Sequence, residues 1–264
     1  MMNVIRWELA RRKMFTIWWS IGVVGFVALY ILSYIAVKDQ AQELEKTLGS
    51  LTSSAGSFFG GNDLFSPIGY LSSKMYYVSL PILLIIMILT LVSSLMSKDE
   101  SDLTVELALS RPISRSKLMT AKAITVLIII GIVALISYIV AAICVSIAGV
   151  DISQTNLLIT HLLTFAFSAS FGAVAFAMIA ASRLTRKIAG VAAIMLSFGG
   201  YILSSLAGMV DGLKFTAKLF PYHYFDTVSL LHGTIGKGLI IYLAGCFVIV
   251  GIVSWIGYSR RDIG

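Results

Sequence analysis

The chain has 264 residues, 58% of them apolar and 12% charged, with a formal net charge of +7 and a mean hydropathy of +0.93. A soluble domain of this length carries about twice that charge, which excludes a soluble enzyme or a soluble binding module. Cut at its charges, the sequence falls into six charge-free runs, 14–37, 75–97, 123–150, 152–182, 188–210 and 238–259, the shortest of 22 residues. About 20 residues suffice to cross the hydrocarbon core as a helix. Barrel strands are shorter and alternate in polarity. The expectation is an all-α integral membrane protein, one transmembrane domain over 1–264, with six helices at about 14–37, 75–97, 123–148, 157–182, 188–210 and 238–259.

Residues 1–13 read as an interfacial helix ahead of the first span. Trp7 and the basic trio Arg11, Arg12 and Lys13 suit the headgroup layer. The first run is too long for a cleaved signal peptide and lacks an Ala-x-Ala-like exit. The segment 38–74 follows. Val37, Ala41, Leu44 and Leu48 recur at helical spacing, so the first span is expected to continue outward as an amphipathic helix. Residues 49–69 are rich in Gly and Ser and read as loop.

The segment 98–122 is the most ordered of the connections. Four acids, Asp99, Glu100, Asp102 and Glu106, precede four bases, Arg111, Arg115, Lys117 and Lys122. Residues 102–110 predict a short helix with Leu103, Leu107 and Leu109 on an apolar stripe. Pro112 ends it, since proline disfavours helix at Arg111 and offers no N–H. Ser114 can cap the next helix, which starts at Arg115. A short helix across the mouth of a membrane bundle is a handle that a soluble partner can push.

In the fourth span Ala169, Ala173, Ala177 and Ala181 recur every four residues, a small-residue seam that lets helices approach closely. It serves packing within one bundle or between two copies. The segment 211–237 is too polar to span and is broken by Pro221. Its Phe220, Tyr222, Tyr224 and Phe225 read as an aromatic belt at the outer interface. Cys144 and Cys246 fall inside spans and read as small packing residues. The three histidines, His161, His223 and His232, fall at or near the outer face without metal-ligand spacing.

Six spans put both termini on one side. Fourteen Lys and Arg lie on that side, in the amino terminus, 98–122, 183–187 and the tail, against six on the other. The positive-inside bias predicts both termini and the 98–122 loop in the cytoplasm, with 38–74 and 211–237 outside. The basic pI follows from this topology, and bases spread over four segments do not make a nucleic-acid site.

The run Asp99, Glu100, then 103–115, then Leu118 and Lys122, resembles the loop between the second and third spans of ABC-2 type transporter permeases. Those are the membrane components of type V ABC exporters. The pattern there is an acidic pair, a Gly-Thr-Leu-Glu-like helix, then Leu-Ser-x-Pro-(Ile/Val)-Ser-Arg and a later Lys. Asp102 stands where that pattern has glycine. More loosely, the likeness covers the basic amino terminus, the six spans and the ending from Tyr258 to Ile263. It implies that the loop is a cytoplasmic coupling helix contacting a separate ATPase. Asp99, Glu100, Asp102, Leu103, Thr104, Glu106, Leu107, Leu109, Arg111, Pro112 and Arg115 would then be the coupling residues. It further implies two ABC ATPase copies carrying ATP and Mg, a second permease copy as homodimer partner, and a bacterial-type inner or plasma membrane. The N-terminal helix would be an elbow that also touches the ATPase, and positive-inside anchoring accounts for it equally.

This chain carries no nucleotide site of its own. Its nearest phosphate-loop-like stretch, Gly233 to Gly238, has the wrong spacing. No Asp, Glu, Lys or Arg lies inside any run, which argues against a proton-driven carrier or a charged-ring channel. A Gly-x-Ser-Gly nucleophile for an intramembrane protease is also missing. The reading is a noncatalytic permease subunit that exports an amphipathic or hydrophobic cargo, an amphipathic peptide included. The alternatives are a membrane anchor or sensor that docks a soluble partner without transport, and an ATP-independent carrier.

Overall fold

The computed structural model describes residues 1–38, 66–101, 115–181 and 186–260, with side chains at 97–101, 115, 181, 186–187, 211 and 258–260 outside the description. Among the described residues every regular element is a helix. Six helices are long and apolar enough to cross a membrane: Lys13–Val37, Pro67–Met96, Ser116–Ala148, Gln154–Ala180, Ile188–Ala207 and Lys237–Gly257.

Helix α1 covers Met2–Arg11 and α2 covers Lys13–Val37, with a break at Arg12 (φ −104°, ψ 14°). The Arg12 carbonyl still accepts from Thr16 N at 2.9 Å and from Thr16 Oγ1 at 3.1 Å, so the break costs no backbone partner there. The second span is built in three pieces. It starts with α3, Pro67–Tyr70, capped by Ser66 Oγ accepting from Gly69 N at 3.0 Å. A π-helix over Leu71–Ser79 follows, then α4, Leu80–Ser101. The wide π turns precede Pro81, whose ring has no N–H to give and crowds the preceding turn, and a π segment absorbs that misfit. Residues 67–69, expected as loop, are therefore helical. The second span begins at Pro67 and takes in Lys74, ahead of the run that starts at 75.

Helix α5, Arg115–Ala148, is the third span and takes in Lys122. Gly149 (φ 66°) ends it, in a left-handed conformation that glycine adopts without strain, with Val150 N donating to Val145 O at 3.2 Å. Helix α6, Gln154–Ala181, and α7, Arg186–Ala207, follow as the fourth and fifth spans. Short pieces then fold back on the bundle: a 3₁₀ turn Asp211–Leu213, α8 Lys214–Ala217, a 3₁₀ turn Pro221–Tyr224, and α9 Thr227–Leu231, capped by Asp226. Helix α10, Lys237–Arg260, is the last span.

The spans alternate in direction, so one face of the bundle gathers the ends near 13, 96, 116, 180, 188 and 257. We call it the terminal face. The other gathers the ends near 37, 67, 148, 154, 207 and 237. The fourth and second spans are the most buried and form the centre, while the sixth is the most exposed. Span four meets span two through Gly172, where an added Cβ would land on Ile88 Cγ2. Ala169 and Ala177 are buried and Ala173 is half-buried. The Ala181 side chain lies outside the description. Four hydroxyls inside the spans are satisfied locally: Thr125, Ser137, Thr164 and Ser168 each donate to the carbonyl four residues earlier. Lipid offers no such partner.

Candidate functional site

At the terminal face the decisive groups are charged and buried. The i, i+4 spacing on α1 sets Glu8 and Arg12 on one helical face, and that face turns inward. Glu8 is 1% exposed and Arg12 6%. The Arg12 guanidinium forms an ion pair with the Glu8 carboxylate. It also reaches span two, donating from Nε to Ser94 Oγ (3.3 Å) and from Nη2 to the Ser94 carbonyl (3.0 Å). A guanidinium suits this role because its planar fork serves several acceptors at once.

This divides the residues expected at the headgroup layer. Trp7, Arg11 and Lys13 are exposed, and Arg11 Cζ lies 5.1 Å from the Trp7 ring centre. Arg12 does not face headgroups. It is a clasp between α1 and span two. One residue further along a helix is a turn of 100°, which is enough to carry Arg12 off the exposed face that holds Arg11.

Span two runs on from Ser94 to Ser101, and span three enters at Arg115. Leu95 and Met96 on one side, and Leu118 and Met119 on the other, are buried in the bundle. Asp99 and Glu100 stand on the last turn of α4 and Arg115 on the first turn of α5, with their side chains outside the description. Asp102, Leu103, Thr104, Glu106, Leu107, Leu109, Arg111 and Pro112 lie outside the described residues altogether.

Deep in the bundle, toward the opposite face, sits a polar group that the charge count passed over. His161 is wholly buried in span four, with Ser137 of span three and Tyr76 of span two. Ser137 Oγ spends its one hydrogen on the Val133 carbonyl at 2.7 Å. It therefore accepts from His161 Nε2–H at 2.9 Å, leaving Nδ1 to accept from the Tyr76 hydroxyl at 3.2 Å. Both ring nitrogens therefore have a partner inside the bundle. Phe165 and Tyr138 rings enclose it at 5.2 and 6.2 Å. Tyr76 lies on the π-helix, so the unusual backbone delivers one partner of the imidazole. Its sequence signal was a lone titratable residue well inside an apolar run. His161 is thus a core residue and not an interfacial one.

The segment before the last span closes the opposite face. Phe225 stacks on Phe167 of span four at 4.1 Å and 4°. Tyr222 packs edge-on against Phe167 (4.9 Å) and Tyr77 (5.7 Å). Tyr222 is 3% exposed, and burial pushes its phenol above the ordinary range, against a hydrogen bond with Ser197. Thr227 and Ser72 share a 2.6 Å hydroxyl contact. The expected aromatic belt is therefore corrected. Tyr222 and Phe225 plug the bundle, because the Pro221 turn folds them back over spans two and four. Tyr224 is half-buried, donating to the Lys218 carbonyl at 2.9 Å and stacking over Tyr242.

A bundle of six apolar helices with a charged segment between its second and third spans has a family-level counterpart. The family described as ABC-2 family transporter protein matches residues 2–257, nearly the whole chain. The chain belongs to the ABC-2 transporter family. It is a multi-pass membrane protein and a permease component of an ABC transporter, a class that associates with an ABC ATPase subunit. Neither a curated protein nor a solved structure matches it. Within an ABC-2 permease, the two buried polar centres divide naturally. The Glu8–Arg12–Ser94 clasp joins elements at the terminal face, and the His161 cluster ties three spans in the interior.

Proposed function

We propose that this ABC-2 permease is the membrane half of an ATP-driven exporter. Its termini and the 98–122 segment face the cytoplasm, and it works as a homodimer with two copies of a separate ATPase that bind ATP and Mg. Residues 99–115 receive the ATPase stroke. Glu100, Asp102 and Glu106 meet polar or basic groups of the ATPase, and Leu103, Leu107 and Leu109 fill an apolar slot. Arg111 and Arg115 brace the segment. The cargo is amphipathic or hydrophobic, with an amphipathic peptide as the leading candidate. The charge-free runs of the spans suit such a cargo.

The observation that carries this reading is how firmly the segment is held at both ends. Leu95 and Met96 are buried just before it, and Leu118 and Met119 just after it. Arg12 adds the α1 clasp at Ser94. A push on the segment therefore acts on helices fixed in the core and not on free ends.

The test is co-purification of the ATPase with Leu107→Asp and Glu106→Lys variants, with ATP hydrolysis measured on the reconstituted complex. A charge at an apolar docking position must be desolvated on binding. Leu107→Asp is expected to lose the ATPase. Glu106→Lys is expected to keep insertion and lose transport-linked hydrolysis. Wild-type association and turnover in both variants would reduce the segment to a connector.

A further inference from the structure

We propose that Lys74 is a binding site for the anionic head of an amphiphile, a carboxylate or a phosphate monoester carried on an apolar chain. Given an exporter of amphipathic cargo, on which this rests, the site also sets the sign of that cargo's charge. None of the six candidate spans contains an Asp or Glu. Lys74 lies inside the second of them, which begins at Pro67. Its side chain is half-buried. Among the described residues its ammonium makes no ion pair and no hydrogen bond. What it meets is an aromatic face: Nζ lies over the Tyr70 ring, 4.5 Å from its centre.

The fold holds the ammonium there. Side chains on a helix lean toward its start, so the Lys74 stem runs back over the preceding turn to Tyr70. Tyr70 is 6% exposed. Its ring packs on Tyr34 of span one at 5.5 Å, and its hydroxyl shares a 3.0 Å hydrogen bond with Ser33 Oγ. A second hydroxyl pair, Tyr30 with Ser79 at 3.2 Å, joins the same two spans. The ring under the ammonium is therefore fixed. A ring face repays only part of what an ammonium loses on leaving water, and it uses none of the three N–H donors. A cation inside a span calls for a counter-charge. Asp226, on the segment that reaches Ser72 through Thr227, spends its carboxylate on Ser229 N and Oγ, at 3.1 and 2.6 Å. The described residues thus leave the counter-charge to a ligand. Depth sets the ligand's class, because a head reaches an ammonium within a span when its own chain lies in the bilayer. A lysine ammonium is a compact point charge with rotatable donors. It suits a carboxylate or a phosphate monoester and repels a trimethylammonium head.

The experiment places the full chain in phosphatidylcholine nanodiscs and titrates three dansyl-labelled probes of equal chain length: a carboxylate, a phosphate monoester and a trimethylammonium. Dansyl fluorescence is read against empty discs, which removes partition into lipid. Wild type should bind at least one anionic probe about tenfold or more tighter than the cationic one, the scale of a single charge-assisted hydrogen bond. The carboxylate and phosphate arms tell which head the site takes. Lys74→Met removes the ammonium, keeps an apolar stem and should lose the preference, whereas Lys74→Arg should keep it. Lys218→Met removes an exposed charge on the same side of the bundle and should also keep it. Equal binding of all three probes by wild type would overturn the proposal and reduce Lys74 to an interfacial anchor. A preference that survives Lys74→Met, or one lost equally in Lys218→Met, would overturn it as well. No ATPase enters the measurement. Failed ATPase co-purification would therefore strike the exporter reading and leave the binding result standing, and equal probe binding would do the reverse.

Discussion

Arg12→Met is the sharpest probe of the terminal face. The side chain is 6% exposed and its partner Glu8 is 1% exposed. Its guanidinium pairs with Glu8 and donates twice to Ser94, at 3.3 and 3.0 Å. Methionine keeps much of the volume, so the cost is electrostatic and not a cavity. Removing one member of a buried charge pair costs about 3–5 kcal/mol. Ser94→Ala deletes only the Oγ contact and leaves the carbonyl contact, which sets its cost at about 0.5–1.5 kcal/mol. Arg12→Lys keeps the charge but gives up the fork, and should fall between the two. Since the Ser94 hydroxyl has no Arg12 left to hold, Arg12→Met/Ser94→Ala should cost little more than Arg12→Met alone. The assay is reversible unfolding in bicelles, read by helical circular dichroism. An Arg12→Met variant within about 1 kcal/mol of wild type would refute the clasp, and so would strictly additive costs in the cycle.

Three further outcomes are expected. Gly172→Ala should destabilise the bundle by about 1–3 kcal/mol, because its methyl would land on the buried Ile88 side chain; unchanged unfolding would mean that spans two and four are not that close. His161→Leu removes the acceptor of the buried Tyr76 hydroxyl and the donor to Ser137, and should cost about 1–3 kcal/mol, with the added Tyr76→Phe change recovering part of it. In a cysteine-free background, Ser54→Cys should label from outside the cell and Ser116→Cys only after permeabilisation; the reverse pattern would put 98–122 on the wrong side for an ATPase.

Much of this fold is written in run lengths. Six apolar runs of span length yield six helices because the bilayer's thickness sets a length that composition alone reveals. The ends of those helices are less legible. Cutting at charges placed boundaries at Lys74 and Lys122, yet the second and third candidate spans continue past both. Long lysine stems can lie along apolar helix while the ammonium finds a polar place, so a lysine is a weaker boundary than a break in helical geometry. Pro67 capped by Ser66, and the turn at Gly149, are the actual limits of their helices.

The polar centres were harder to read, and for one physical reason. In an apolar chain a polar residue's role depends on what the tertiary fold places opposite it. Arg12 looks like its neighbours Arg11 and Lys13 until the helix turns it toward Ser94, which lies 82 positions away in sequence. Tyr222 and Tyr224 look alike in an aromatic segment, and the Pro221 turn sends only Tyr222 fully into the core. His161 escaped because a count of Asp, Glu, Lys and Arg omits histidine. One local pattern did hold enough information. Glu8 and Arg12 stand four apart on a helix that carries no other acid, in the favourable acid-before-base order. Such a pair beside a membrane segment can be solvated or buried, and the apolar residues sharing its face decide which. Ile5 and Leu9 lie on that face, Ile5 buried and Leu9 half-buried, so the stripe that packs α1 on the bundle takes the ion pair in with it.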